Sequence, residues 1–85
     1  MDKYEVAQRA SALPARFAER VPPSTLESIQ LMEEGGEYED LTIELAASLA
    51  AHNTPVTATE RDELLALLEA MDMPTDPIPK LNVQG

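Results

Sequence analysis

The chain has 85 residues, so it forms one domain at most, and a domain of this size buries only about 60% of the surface its unfolded chain exposes. That excludes a Rossmann unit with a substrate domain, a (β/α)₈ barrel and any fold built around a deep lined cleft. Sixteen acids against six bases give a net charge of −10, which disfavours non-specific nucleic-acid binding and anionic membranes and favours a basic protein partner.

Twelve alanines and eleven leucines, with almost no β-branched runs, point to helices. The predicted fold is all-α: a compact bundle of four helices with short connections and an irregular Pro-rich C-terminal tail. Residues 1–73 form the helical domain and residues 74–85 the tail. The first helix is predicted over residues 2–13. Val6, Ala10 and Leu13 recur along one face, with Tyr4 alongside, and Asp2 sits near the positive helix end. Pro14 kinks the chain, residues 15–20 continue helically, and Phe17 and Val21 share a face. Pro22 and Pro23 form a hard stop.

Ser24-Thr25-Leu26-Glu27 reads as a capping box opening the second helix. Leu26 and Ile29 mark its apolar face, together with Met32 or Glu33. Gly35-Gly36 ends it, as suits a left-handed residue after a helix. The third helix covers residues 37–51, with Tyr38, Leu41, Leu45 and Leu49 in one stripe that Ile43 widens. Glu37, Glu39 and Asp40 load its first turns, His52 lies at its negative end, and Asn53 is a suitable left-handed residue. Thr57-Ala58-Thr59-Glu60 is a second capping box, and the fourth helix runs to about residue 71 with Leu64, Leu65, Leu68 and Met71 on its core face. Pro74, Pro77 and Pro79 forbid helix in the tail, although Ile78, Leu81 and Val83 have the composition to pack back. No repeat, sustained heptad or strand alternation is present.

Enzyme chemistry finds little support. Cysteine is absent, so no disulfide, thiolate nucleophile or thiolate metal ligand exists. The only histidine, His52, is explained by its place at a helix end, and no nucleophile-elbow glycines flank any serine. Gly35-Gly36 lacks the Lys and Ser/Thr of a P-loop, and the acids around it do not fit an EF-hand, leaving at most a weak Ca²⁺ or Mg²⁺ site. No catalysis and no cofactor are expected. The N-terminus has no apolar signal region and no stretch is long enough to span a membrane, so a cytoplasmic location is expected.

The informative feature is where the bases are missing. Residues 21–60 contain no Lys or Arg but eight acids: Glu27, Glu33, Glu34, Glu37, Glu39, Asp40, Glu44 and Glu60. Six of them fall between Glu33 and Glu44, around the Gly-Gly turn. The reading is either a solvated charged face or an acidic cap for a basic partner. Tyr38 lies among them, either as a core residue of the Leu41-Leu45-Leu49 stripe or as an aromatic binding anchor.

The central stretch reads Leu31-Met32-Glu33-Glu34-Gly35-Gly36-Glu37-Tyr38-Glu39. Leu41, Leu45 and Leu49 follow, then Thr54-Pro55-Val56-Thr57, Arg61-Asp62-Glu63-Leu64 and Met71-Asp72-Met73. This resembles the MafI-type immunity proteins of bacterial polymorphic toxin systems. Those are small helical proteins with an acid-Gly/Phe turn, a helix beginning Glu-aromatic, a short Ile-Pro-Ile-Thr-like linker and a last helix ending in a Met-rich turn. The likeness covers residues 31–73, and this chain carries more Ala and Glu than that family. The resemblance implies a cognate toxin, commonly a nuclease, bound and neutralised in the producing cell. A nuclease presents a basic face to phosphate, and an acidic protein can occupy it as a phosphate mimic with fast, steered capture. Glu33, Glu34, Glu37, Tyr38, Glu39, Asp40 and Glu44 are the candidate partner-binding residues. Blocking an exosite is equally compatible. The alternative is an adaptor or structural module presenting an apolar groove to a partner helix, with no toxin involved.

Overall fold

A computed structural model describes residues 1–84; Gly85, the last residue of the expected tail, lies outside the described residues. The elements are α1 (Lys3–Ser11), the single turn α2 (Leu13–Arg16), a 3₁₀ turn (Ala18–Arg20), α3 (Pro23–Glu34) and α4 (Tyr38–Ala51). Then come β1 (Pro55–Val56), α5 (Ala58–Ala70), a second 3₁₀ turn (Ile78–Lys80) and β2 (Asn82–Val83). The four longer helices are those expected from periodicity. The Cα radius of gyration is 11.6 Å, close to the roughly 12 Å of a compact chain this long.

Helix starts follow local chemistry, with one correction. Asp2 caps α1, its Oδ1 accepting the Glu5 amide at 2.8 Å. At α5 both halves of the Thr57–Glu60 capping box form: the Glu60 amide donates to Thr57 Oγ1 at 3.1 Å and the Thr57 amide to Glu60 Oε1 at 2.9 Å. The box expected at Ser24 does not form. Pro22 is the cap residue, in extended backbone, and Pro23 is the first helical residue, with no side-chain cap. Proline suits that place because its missing N–H would be unsatisfied there anyway. It also holds the preceding residue extended. Ser24 is thereby drawn inside the helix.

The ends of α3, α4 and α5 share one geometry. Gly36 (φ 70°), Asn53 (φ 51°) and Asp72 (φ 57°) each take the left-handed conformation just past the helix. The following amide then reaches back: Glu37 to the Met32 carbonyl at 2.8 Å, Thr54 to Leu49 at 3.0 Å, Met73 to Leu68 at 2.9 Å. The roles of Gly36 and Asn53 were readable from sequence, whereas that of Asp72 was not.

Helix α4 packs against α3, α5 and α1. Leu41, Leu45 and Leu49 are fully buried, and Val6, Ala10, Leu13 and Phe17 close the core from the N-terminal side. On α5 the buried face is Leu64, Leu67 and Leu68, while Leu65 is only half-buried. At 100° per residue, positions 64, 67, 68 and 71 form the stripe and 65 lies about 100° off it. Tyr4 is 73% exposed, because it projects roughly opposite Val6 on α1.

The tail is irregular only in part, and its apolar residues Ile78, Leu81 and Val83 do pack back. Ile78 and Leu81 are buried in the same apolar cluster as Phe17, Leu45 and Leu49. β2 pairs in parallel with β1, Pro55 opposite Asn82 and Val56 opposite Val83. The Gln84 amide donates to the Val56 carbonyl at 2.8 Å, and Asn82 Nδ2 to the Asn53 carbonyl at 3.1 Å. The prolines do exclude α-helix, but a 3₁₀ turn and two paired residues satisfy the backbone instead.

Candidate functional site

The turn joining α3 to α4 carries the acids. Glu33 and Glu34 are the last residues of α3, Gly35 is its cap, and Glu37 is the cap residue of α4. Tyr38, Glu39 and Asp40 form the first turn of α4, where carboxylates meet the positive end of the helix dipole. Gly36 supplies the positive φ that turns the chain. Gly35 sits in ordinary helical backbone (φ −86°), and the Glu37 side chain lies over it; a Cβ there would stand 3.0 Å from Glu37 Oε2.

The seven candidates do not form one patch. Glu34, Glu37, Glu39 and Asp40 are exposed; Glu33 and Glu44 are half-buried. On α4, Glu39 flanks one edge of the buried stripe and Glu44 the other. Glu39 and Tyr38 line a groove of about 420 Å³ with Asp2, Val6 and Met71, between α1 and the end of α5. Glu44 lines a different groove, against α3. Tyr38 is half-buried, neither a closed core residue nor a free anchor. The result is five acids at the α3–α4 turn, with Glu44 set apart on another flank of α4. Among the described residues, no three acids or His52 gather as a metal site would require.

Lys3 lines the groove that holds Tyr38 and Glu39, without an ion pair among the described residues; the paired cations are elsewhere. Among the described residues the ion pairs are Arg9–Glu5, Arg16–Glu63, Arg20–Glu60 and Arg61–Asp62, and none touches the six clustered acids. Arg20 grips Glu60 with both nitrogens, Nη1 to Oε1 at 2.8 Å and Nη2 to Oε2 at 2.6 Å. Arg16 does the same to Glu63, at 2.8 and 3.3 Å. The Arg20 guanidinium also stands 4.3 Å from the centroid of the Phe17 ring, and that of Arg16 at 5.8 Å. The hydrogen bonds from Arg20, helped by the Thr57 amide and opposed by burial, lower the Glu60 carboxyl to about 2. The same contacts raise both arginines above their ordinary value, chiefly through the hydrogen bonds to Glu63 and Glu60. Glu60, counted from sequence among the acids lacking a nearby base, is therefore neutralised by an arginine 40 residues away.

A second polar region was not marked by the sequence reading. Ser24, Thr25 and Ser28 on α3 face Glu44, Ser48 and His52 on α4 across a groove of about 510 Å³. Local sequence explains Ser24 as a cap and His52 as a helix-end residue. The available signal was the four-residue spacing of Glu44, Ser48 and His52, which puts all three on one helix face. His52 does lie at the C-terminus of α4, where its Nδ1–H donates to the Ser48 carbonyl at 2.9 Å.

Among the described residues no helix is long and apolar enough to cross a membrane. No family model, curated protein or solved structure matches the chain.

Proposed function

We propose that the protein is a binding module that captures a basic protein partner through the acidic end formed by the α3–α4 turn. On this reading it is an immunity protein of the MafI type, and the partner is a cognate bacterial toxin, a nuclease by the logic of phosphate mimicry. It acts without catalysis or cofactor, in the cytoplasm, on a protein rather than on nucleic acid or a membrane. One observation carries the reading: among the described residues Glu33, Glu34, Glu37, Glu39, Asp40 and Glu44 have no ion-pair partner, while Arg16 and Arg20 are committed to α5. Carboxylates crowded without counter-charge repel one another, and an incoming basic surface relieves that repulsion while steering its own approach.

The test is capture of the neighbouring toxin-gene product by purified protein at low and moderate salt. Wild-type protein binds, and affinity falls as salt rises. The triple variant Glu34→Lys, Glu37→Lys, Asp40→Lys loses on the order of 100-fold in affinity. Unchanged affinity of the triple variant removes the acidic face from the mechanism. Failure of wild-type protein to bind removes the toxin.

The adaptor reading is favoured by a different feature. The groove bounded by Val6, Tyr38 and Met71 is mainly apolar in its lining and is open at the surface. A partner helix docking there is weakened by Tyr38→Ala and indifferent to the triple charge reversal, which separates the two readings in one experiment.

A further inference from the structure

Among the described residues three large apolar side chains are left exposed, Met1, Tyr4 and Leu31, and two of them meet at one groove. Met1 lines the groove of about 420 Å³ between α1 and the end of α5, together with Val6, Ala7, Tyr38, Ala70 and Met71. Tyr4 lies about 60° round α1 from Ala7, at the groove's edge. Apolar side chains gathered at one open concave place mark a contact surface, whereas a single exposed one such as Leu31 needs no explanation. The border is charged. Asp2 and Glu39 line the groove, and exposed acids stand next to its lining residues in the chain: Glu37 and Asp40 around Tyr38, Glu69 and Asp72 around Ala70 and Met71. Among the described residues none of these acids makes an ion pair, and Lys3 is the one Lys or Arg in the lining.

An apolar floor inside an acidic border fits a surface of the opposite pattern, an apolar stripe flanked by cations. The groove lies among α1, α4 and α5 and has no strand edge, so an extended segment entering it would find no ladder for its own N–H and C=O groups. A helix brings its backbone hydrogen bonds with it and presents apolar side chains at i, i+3, i+4 and i+7. A second copy of this chain is opposed by the net charge of −10 that each copy carries. We propose that the groove seats the apolar stripe of an amphipathic helix belonging to the basic partner, whose flanking Lys and Arg meet Glu39 and Glu69. The proposal rests on the reading of the partner as a basic protein. It joins the groove to the acidic turn as one interface, with Tyr38 and Glu39 common to both, whereas the adaptor reading needs the groove and ignores the charge.

The test uses the full chain, ¹⁵N-labelled, titrated at constant ionic strength with three synthetic Leu/Lys-type peptides of equal length. The first places Leu at i, i+3, i+4 and i+7 with Lys on the flanks, the second is an isomer with the same Leu and Lys scattered round the helix, and the third keeps the Leu stripe but replaces Lys by Glu. Saturable shifts are expected with the first peptide at residues 3–7, 38–39 and 70–71, with affinity about tenfold above that of the isomer. The third peptide does not bind. Ala70 is exposed on the groove wall, so Ala70→Phe fills the space without touching the core. It weakens binding by about tenfold and leaves the unfolding midpoint close to that of the wild type. The double variant Glu39→Lys, Glu69→Lys weakens it by about fivefold. Equal binding of the isomer, binding of the Glu peptide, shifts confined to residues 33–40, or full affinity in Ala70→Phe overturns the proposal. Shifts at the groove that grow with protein concentration in the absence of peptide assign it to a second copy instead. The toxin-capture experiment is independent of this one. Peptide binding in the groove without toxin capture retains the groove and discards the immunity reading, and toxin capture undiminished in Ala70→Phe retains that reading alone.

Discussion

Two ends of this small protein treat the same chemistry in opposite ways. On the flank where the α2 turn meets α5, Glu60 and Glu63 are each held by both nitrogens of an arginine, and Phe17 lies beneath the two guanidinium groups. At the α3–α4 turn five carboxylates, with Glu44 further along α4, make no ion pair among the described residues. The first arrangement fastens the N-terminal segment to the rest of the fold. The second does nothing for the fold that its Gly36 turn and helix dipole do not already do. A protein with only six bases has placed two of them where they hold structure, and so leaves the turn charged.

That contrast breaks first at Phe17. Its ring is 1% exposed and supports both the core and the arginines. Phe17→Ala should destabilise by about 3–5 kcal/mol, a large share of the stability of so small a domain. Urea unfolding at neutral pH measures it. A loss below about 1 kcal/mol would mean the paired flank is ornamental.

Next comes Arg20→Ala, expected to cost about 1–2 kcal/mol at neutral pH. Here the sign of the pH dependence is fixed by Glu60. Its carboxyl is depressed to about 2 from 4.5, so the folded state holds it ionised more firmly than the unfolded state does. The stabilisation is complete above about pH 5 and is lost as pH falls from there toward 2. The gap between wild type and Arg20→Ala should therefore close over that interval, as read from unfolding midpoints. A gap that stays constant would assign the effect to the Phe17 contact instead.

A smaller effect, of opposite sign, is expected at Asp72. Its φ of 57° lies where a side chain is strained and glycine is not. Asp72→Gly should stabilise by up to about 1 kcal/mol, judged by the thermal midpoint. The matched change Gly36→Ala, at φ 70°, should destabilise by about as much.

The smallest effect belongs to the acidic turn. Neutralising Glu34 and Glu37 to Gln should raise stability by a few tenths of a kcal/mol at low salt, and that gain should vanish at 1 M salt. A loss of stability instead would show that these carboxylates hold the fold, and the contrast between the two ends would disappear.

The parts legible in the sequence were those decided within one helical turn. Val6, Ala10 and Leu13, or Leu41, Leu45 and Leu49, announce their face by spacing alone. Thr57 and Glu60 announce a helix start because both partners of the box lie three residues apart. Ser24 and Glu27 made the same announcement wrongly, since Pro23 outranks a serine cap by starting the helix two residues earlier. The position of the acids was equally plain, but not the splitting of Tyr38 and Glu39 from Glu44 onto different flanks of α4.

The sequence by itself determined which segments are helical and how they begin and end, because hydrogen bonding and capping act between residues a few positions apart. Only the tertiary structure decided which charges are cancelled, that the proline-rich tail returns to pair with Pro55 and Val56, and that Ser48 shares a groove with Ser24, Thr25 and Ser28 of α3. Those contacts join residues 20 to 47 positions apart, where the packing of α2, α3 and α5 around α4, and no local preference, selects the partner.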